Sequence, residues 1–398
     1  MKTLSLNEWE RKYITGHIER YDQMKIINSI RQIKSFNTIG EIKDKPGFTL
    51  IDQALRIGAW AGVWLDFLDT SKPNPPSESE QIAQILSGSR SVRPFLVYRA
   101  PDNAKCTVAD PSILSTIVKK VAALYGADIV GICRLDRRWL YSPIPNSSQP
   151  DREARDVPEE CQYAIVLGVE MDYQLVKYYP TYIDVTAPPL GYSRLAFTSK
   201  LLSAFITVLG KRAINCATNQ VALYQPLAMQ AGLGEIGRNG VVITPRFGPR
   251  VRFSTILTDL TLIPDSPIEF GVTEFCGVCR KCADMCPSHS IPRGERSSEP
   301  AGELNNKGTL KWQVNTETCR IYWAKNNRDC GTCISVCPYN KVSTWQHRTV
   351  QWLTDHARWA DRFFVKMDNL FGYGKPRKAV NFWEEWEPNQ PGRNKHIW

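Results

Sequence analysis

The chain has 398 residues, of which 42% are hydrophobic and 23% charged, with a formal net charge of +10. That length and balance belong to a globular protein of two or three domains whose core needs no staples. The longest apolar run, Ile57 to Leu65, lies between Arg56 and Asp66 and is far shorter than the roughly 20 residues of a membrane-spanning helix. The basic residues are dispersed and form no stripe of the kind that tracks a phosphate backbone.

Residues 1–109 read as a first region. Met1 is followed by polar and charged residues, with neither an apolar leader segment nor a twin arginine. Apolar spacing predicts helices over Asn7–Asn28 and Leu50–Leu68, the second carrying Trp60, Trp64 and Phe67 at intervals of four and three. The Ser, Pro and Lys cluster from Ser71 to Ser79 reads as a surface loop.

A second unit, residues 110–270, opens at Asp110, a residue type that caps helices, followed by Pro111, which is best tolerated in a first turn. Ile113, Leu114, Ile117, Val118, Val121 and Leu124 continue at helical spacing until Gly126. Strands are predicted at Ile129–Cys133 and Ala164–Val169, then a helix from Ser193 to Leu209 ended by Gly210. Past Ala213 and Ile214 come a loop at Thr218 and Asn219, a helix through Ala231, and strands near Val241–Thr244 and Val251–Leu257. The pattern is that of an α/β sandwich. Gly232, Gly234 and Gly237 spell G-x-G-x-x-G, but they follow a helix, whereas a dinucleotide fingerprint needs strand, turn and helix. These glycines, with Gly240, are expected to let backbone approach a large flat cofactor.

Residues 271–344 contain the most specific signal. Cys276, Cys279, Cys282 and Cys286-Pro287 form the C-x2-C-x2-C-x3-C-P run of bacterial ferredoxins, and Cys319, Cys330, Cys333 and Cys337-Pro338 supply a second set. In such runs the fourth cysteine ligates the other cluster. Cys276, Cys279, Cys282 and Cys337 are therefore expected to hold one 4Fe–4S cluster, and Cys286, Cys319, Cys330 and Cys333 the other. Neither a disulfide framework nor a zinc site explains two such runs. Cys106, Cys133, Cys161 and Cys216 remain, in apolar settings that suit buried thiols. A Trp-rich tail, residues 345–398, follows. Its Trp345, Trp352, Trp359, Trp383 and Trp386, with Trp60 and Trp64, are candidates to line a dry cavity, although buried aromatics more often serve as plain core.

Several runs taken together resemble the corrinoid-dependent reductive dehalogenases: Gly126-Ala127-Asp128-Ile129-Val130-Gly131-Ile132, Trp139-Leu140-Tyr141-Ser142, Gly191-Tyr192-Ser193, Gly232 to Glu235, Gly237-Arg238-Asn239-Gly240, Thr244-Pro245 and Gly248-Pro249-Arg250-Val251-Arg252. With the paired cysteine motif they cover about 110 to 340. The resemblance implies an α+β protein: a nitroreductase-like α/β core cradling a base-off, cobalamin-type corrinoid, joined to a ferredoxin-like double-cluster domain. It implies a small organohalide substrate whose halogen is replaced by hydrogen at a Co(I) corrinoid; the apolar pocket expected from the tryptophan content suits a chlorinated aliphatic better than a charged substrate. Tyr192 would be the proton donor, held by Arg238, with Asn219 orienting by hydrogen bonding. The family also implies a low-potential electron donor, a small membrane-anchor protein, and residence on the outer face of the cytoplasmic membrane after leader removal, or in the cytoplasm if the chain is never exported. None of the five histidines stands in the Asp-x-His-x-x-Gly string through which other cobalamin proteins ligate cobalt. Epoxyqueuosine reductase, which acts on transfer RNA with the same cofactors, is the alternative, and a pure electron carrier would not need so large an α/β unit.

Overall fold

The computed structural model describes residues 1–22, 25, 45–49, 52, 110–142, 157–216, 221–342 and 344–385. The predicted helix at 50–68 apart from Asp52, the loop at 71–79, Cys106, Asn219 and Trp386 lie outside the described residues.

A short strand, β1 (Lys2–Thr3), leads into helix α1 (Leu6–Tyr13). Ser5 and Glu8 form a capping box, each satisfying the other's backbone N–H, which fixes where α1 begins. The helix ends at Tyr13, well short of the expected Asn28. Helix α2 (Pro111–Leu124) starts as its residues dictate: the Asp110 carboxylate accepts from the Ser112 N–H at 2.8 Å and Pro111 occupies the first turn. Strands β2 (Ile129–Arg134) and β3 (Tyr163–Glu170) follow, then the long helix α3 (Ala187–Val208). It begins six residues before the expected Ser193, because Pro188 and Pro189 fit a first turn, where no N–H partner is lost.

The chain continues through β4 (Ala213–Asn215), α4 (Tyr224–Gln230), the small hairpin β5 (Glu235–Ile236) and β6 (Val242–Ile243), and then β7 (Val251–Thr258). The main sheet has the order β2-β3-β7-β4, every pair antiparallel. Strand β3 is central and buried along almost its whole length. Its alternate residues divide between two cores, as a period of two requires. Ala164 and Val166 point to one side with Trp9, Tyr13, Trp139, Leu227 and Met229, so α1 and α4 cover that face. Tyr163, Ile165, Leu167 and Val169 point to the other, with Leu114, Val118, Leu195, Leu202 and Ile206 of α2 and α3. The result is a three-layer helix–sheet–helix core.

Strand β8 (Ile268–Glu269) pairs with β1, which ties the chain start to the entrance of the cysteine-rich domain. That domain holds α5 (Val272–Val278), α6 (Lys281–Asp284), α7 (Thr316–Lys325) and α8 (Thr332–Ser335). The tail adds α9 (Trp345–His356), α10 (Asp361–Leu370) and α11 (Asn381–Glu385). Its expected role as an aromatic cavity wall is corrected: Trp345, Trp352, Trp359 and Trp383 are all exposed, Trp359 to 89%. The helices α9 and α10 are short and amphipathic, and their aromatic side chains face outward. Asp368 of α10 instead anchors the tail, taking ion pairs from Lys281 and from Lys341. Among the described residues no helix is long and apolar enough to cross a membrane.

The two domains meet closely at Gly248. With φ at +59°, this residue sits so near the Tyr339 carbonyl that an added Cβ would lie 2.1 Å from the oxygen. Gly248→Ala therefore combines a left-handed backbone with a clash against main chain, and is expected to cost at least about 2 kcal/mol. Thermal unfolding of the cluster-loaded protein should show the midpoint lowered by several degrees; an unchanged midpoint would mean that the domain junction yields freely.

Candidate active site and cluster-binding region

Two functional spaces flank the junction. The first is a small cavity lined by Cys276, Cys279, Cys282 and Cys337 together with Arg238, Asn239, Phe275 and Tyr339. These are the four cysteines that the crossing rule groups together. The other four also converge: burial raises the Cys333 thiol above its ordinary value, and so do the neighbouring Cys330, Cys319 and Cys286. Cys286 differs: burial opposes its ionisation, yet hydrogen bonds from Ser288, Ser290 and Ile291 hold its thiol below the ordinary value. Thiols brought together in this way can serve as thiolates around a cationic metal, and the residues present fit iron ligation. Cys133, Cys161 and Cys216 are buried and take part in no disulfide, as their settings suggested.

Arg238 does not stand beside Tyr192. It is 1% exposed and lies beneath the first cysteine loop. Its Nε donates to the carbonyls of Cys276 (2.9 Å) and Cys279 (3.1 Å), Nη1 to those of Pro292 (2.9 Å) and Gly294 (2.8 Å), and Nη2 to that of Gly277 (3.3 Å). The guanidinium also stacks over the Trp312 ring at 4.7 Å. Nor does it pair with Glu235, whose buried carboxylate accepts from the N–H groups of Phe270 (2.7 Å) and Val272 (3.2 Å), from Lys12 and from Tyr13. Arg238 is thus a clamp on the cluster loop.

The glycines are corrected as well. An added Cβ at Gly232 would meet the Ser266 carbonyl oxygen at 2.5 Å, at Gly234 the Ile243 carbonyl oxygen at 2.1 Å, at Gly237 the Ile243 side chain at 2.6 Å, and at Gly240 Val314 at 3.0 Å. They admit the protein's own chain, and none of them lines the larger cavity described next.

That second space encloses about 270 Å³ and is half open. Its wall includes Trp9 and Tyr13 of α1, Trp139, Tyr141, Tyr224, Lys311 and Arg320. Trp9 and Trp139 meet edge to face at 6.5 Å. Sequence reading missed both as cavity residues; the helical stripe Trp9/Tyr13 and the quoted Trp139-to-Ser142 run were the available signals. Five buried polar atoms on this wall have no hydrogen-bond partner among the described residues: Trp9 Nε1, Trp139 Nε1, Tyr141 OH, Asn305 Oδ1 and Thr309 Oγ1. Buried polar groups are normally satisfied, so the wall fits a guest edged with amide donors and acceptors, as a corrinoid is.

Tyr192, in the second turn of α3, reaches this cavity through Tyr224. The two phenol oxygens are 3.0 Å apart. Burial pushes the Tyr224 phenol well above its ordinary value, and Tyr192 adds to the shift, so Tyr224 keeps its proton. The cation at Tyr192 is Arg252 of β7, whose guanidinium lies 5.5 Å from the ring centre. Gly191 makes room for it: a Cβ there would touch Arg252 Cγ at 3.2 Å. The run Gly248 to Arg252 contains both this residue and Arg250, a buried arginine that pairs with Glu170 and donates to Asn340 Oδ1 at 2.8 Å.

Residues 275–340 match the family described as 4Fe-4S double cluster binding domain. A tetrachloroethene reductive dehalogenase of Desulfitobacterium hafniense is 36% identical over 434 aligned residues, covering 94% of this chain and 77% of that protein. The chain belongs to the reductive dehalogenase family. The tetrachloroethene reductive dehalogenase of Sulfurospirillum multivorans is 35% identical over 311 residues, 72% of this chain and 61% of the relative, so the chain spans about three fifths of that protein. Among solved structures, a catabolic reductive dehalogenase shares the fold with a TM-score of 0.70 at 19% identity, over 95% of this chain and 49% of the other. Epoxyqueuosine reductase of Bacillus anthracis is 34% identical over 117 residues, only 28% of this chain. The expected α+β architecture, an α/β core with a separate 4Fe–4S domain, is that of this dehalogenase family.

Arg238→Met should leave five carbonyls without their donor, those of Cys276 and Cys279 in a buried setting, at a cost of about 2 kcal/mol or more at a site that hydrogen bonds to a charged group now stabilise. The protein is expected to lose a large part of its iron on purification, read by metal analysis. Arg238→Lys should not rescue it, since one ammonium cannot reach acceptors on both sides of the loop. Full iron in either variant would remove the clamp.

Proposed function

We propose that this chain replaces a halogen of a small organohalide by hydrogen, taking two electrons and one proton and releasing halide. The observation that carries the reading is the group Tyr192–Tyr224–Arg252, set against a cavity walled by Trp9, Trp139 and Tyr141, in a chain that also carries eight cluster-type cysteines. When bound, a corrinoid supplies a strongly reducing cobalt and the iron–sulfur clusters supply electrons singly. One cluster is assigned to Cys276, Cys279, Cys282 and Cys337, the other to Cys286, Cys319, Cys330 and Cys333. Arg320, one residue beyond Cys319 on α7, belongs to the cavity wall, which supports the second set as the one nearer the cavity.

The residues of the chain then divide the remaining work. Tyr192 holds the proton that ends on carbon. A phenol is a weak acid at neutral pH, and its conjugate base must be stabilised where it forms. Arg252 does this by charge, and the protonated Tyr224 by a hydrogen bond to the Tyr192 oxygen. The aromatic wall keeps water away and favours an uncharged substrate, in agreement with a chlorinated aliphatic. Asn219, which the resemblance adds, is kept as a residue that orients substrate. Low-potential electrons come from a partner, and peripheral attachment through a small membrane-anchor protein at the outer face of the cytoplasmic membrane follows the family.

Anaerobic assay of the corrinoid- and cluster-loaded protein with a reduced viologen should release chloride from chlorinated alkenes or alkanes only when corrinoid is present. Chloride-free turnover of an epoxyqueuosine-bearing RNA would instead transfer the function to the rival family. Tyr192→Phe should retain both cofactors and lose at least about 10²-fold in turnover. Arg252→Met is expected to behave similarly with iron retained, the opposite of Arg238→Met. Undiminished chloride release by Arg252→Met would detach it from the proton donor.

A further inference from the structure

The first cysteine loop comes to the surface between its ligands. Cys276, Cys279, Cys282 and Cys286 are buried, yet Val278 and Met285, next in sequence to Cys279 and Cys286, are 39% and 49% exposed. Arg280, one residue beyond Cys279, is exposed as well. A turn of the tail lies over the same loop: the Tyr373 carbonyl accepts from Lys281 Nζ at 3.0 Å, and a Cβ at Gly374 would stand 3.0 Å from the Cα of Val336, beside Cys337. This fastening brings the exposed Phe371 and Tyr373, whose ring centres are 6.3 Å apart, and the exposed Lys375 next to the loop. The charge left on this surface is positive. Glu274 of α5 pairs with Arg358 at 3.5 Å and Asp284 of α6 with Arg293 at 3.0 Å, while the one carboxylate of Asp368 is shared by Lys281 and Lys341. One cation of that trio is therefore unmatched, and Arg280 and Lys375 enter no ion pair among the described residues. A small apolar patch rimmed by unmatched cations, beside buried redox ligands, has the make-up of a transient electron-transfer interface steered by charge.

We propose that Arg280 and Lys375, around Val278, Met285 and Phe371, form the docking surface for a small acidic one-electron carrier protein of low potential, with an iron–sulfur or flavin centre. The inference rests on the dehalogenation reading above and deepens it, because it gives the electron donor a chemistry and a place of contact. With the second cysteine set nearer the cavity, the set of Cys276, Cys279, Cys282 and Cys337 is where electrons arrive. Each encounter passes one electron, the carrier being oxidised as that cluster is reduced. Two encounters supply the pair that one halide departure consumes, and the proton comes from Tyr192, not from the carrier. An anionic lipid surface would match the same cations, but it gives no reason for exposed apolar side chains to stand directly beside buried redox ligands.

The test uses full-length protein loaded with clusters and corrinoid. Calorimetric titration with an oxidised, acidic plant-type ferredoxin and with an oxidised flavodoxin reads docking apart from turnover. Anaerobic chloride release driven by the same carriers in reduced form, or by a reduced viologen, reads electron entry. Wild type is expected to bind at least one carrier and to lose at least about tenfold in affinity when salt rises from about 0.05 to about 0.5 M. Arg280→Glu and Lys375→Glu should each weaken carrier binding and carrier-driven kcat/KM at least about fivefold, with viologen-driven turnover and iron content within about twofold of wild type. Arg280→Lys should keep most of the affinity. An equal loss with viologen would place these residues in the support of the cluster, and carrier binding indifferent to salt and to both substitutions would put docking elsewhere; either result overturns the surface. Binding of neither carrier to iron-replete wild type overturns it too. Loss of binding to phosphatidylglycerol vesicles in both variants, with carrier-driven turnover unchanged, would assign the patch to lipid and overturn the carrier. Absence of viologen-driven chloride release by wild type would instead sink the dehalogenation reading, while the binding titrations decide the surface on their own.

Discussion

Two buried charges of opposite sign, three residues apart on one hairpin, hold this molecule together. Glu235 and Arg238 are each 1% exposed. The carboxylate gathers the N-terminal helix, through Lys12 and Tyr13, and the entrance of the cluster domain, through the N–H groups of Phe270 and Val272. The guanidinium gathers the loop that carries Cys276 and Cys279 and the turn at Pro292 and Gly294. Neither charge answers the other; Glu235 is met by Lys12 and by donors, and Arg238 by main-chain carbonyls brought from elsewhere in the chain. Buried charges are tolerated only with such full coordination. The glycines around them are small for the same reason, since carbonyls must come close enough for both side chains to reach their partners.

The functional geometry depends on that joint. Arg250, beside the closely packed Gly248, locks the start of β7 to Asn340, and two residues later Arg252 arrives at Tyr192. Alternation along the strand sends these two arginines to the same side, one to the cluster domain and one to the phenol. The α/β core therefore sets the spacing between Tyr192 and the paired cysteine motif through a single strand.

Much of this could be read from the residues. The cysteine spacing grouped Cys276, Cys279, Cys282 and Cys337 before any coordinates, and those four do line one cavity. Asp110-Pro111 and Gly126 placed α2, and the apolar runs placed β2, β3 and β7, because capping and period-two burial are local properties. What failed was direction. Arg238 and Arg252 both follow glycine-rich runs of the same resemblance, and spacing does not say which guanidinium turns inward to carbonyls and which lies over Tyr192. Tryptophan content misled in the same way: Trp345, Trp352 and Trp359 sit on amphipathic helices whose outer faces they occupy, whereas the cavity uses Trp9 and Trp139, isolated in sequence and joined only by packing.

The crossing of Glu235 and Arg238 between units has a consequence for how such proteins diversify. A boundary drawn by composition near residue 270 falls between the hairpin and the groups it holds, so a cluster domain exchanged there would arrive without its acceptors for Arg238. Recombination at that point would leave a buried cation facing a foreign loop. Chimeras that survive would be those whose exchanged segment begins before Gly232, carrying hairpin, strand β7 and cysteines as one heritable block.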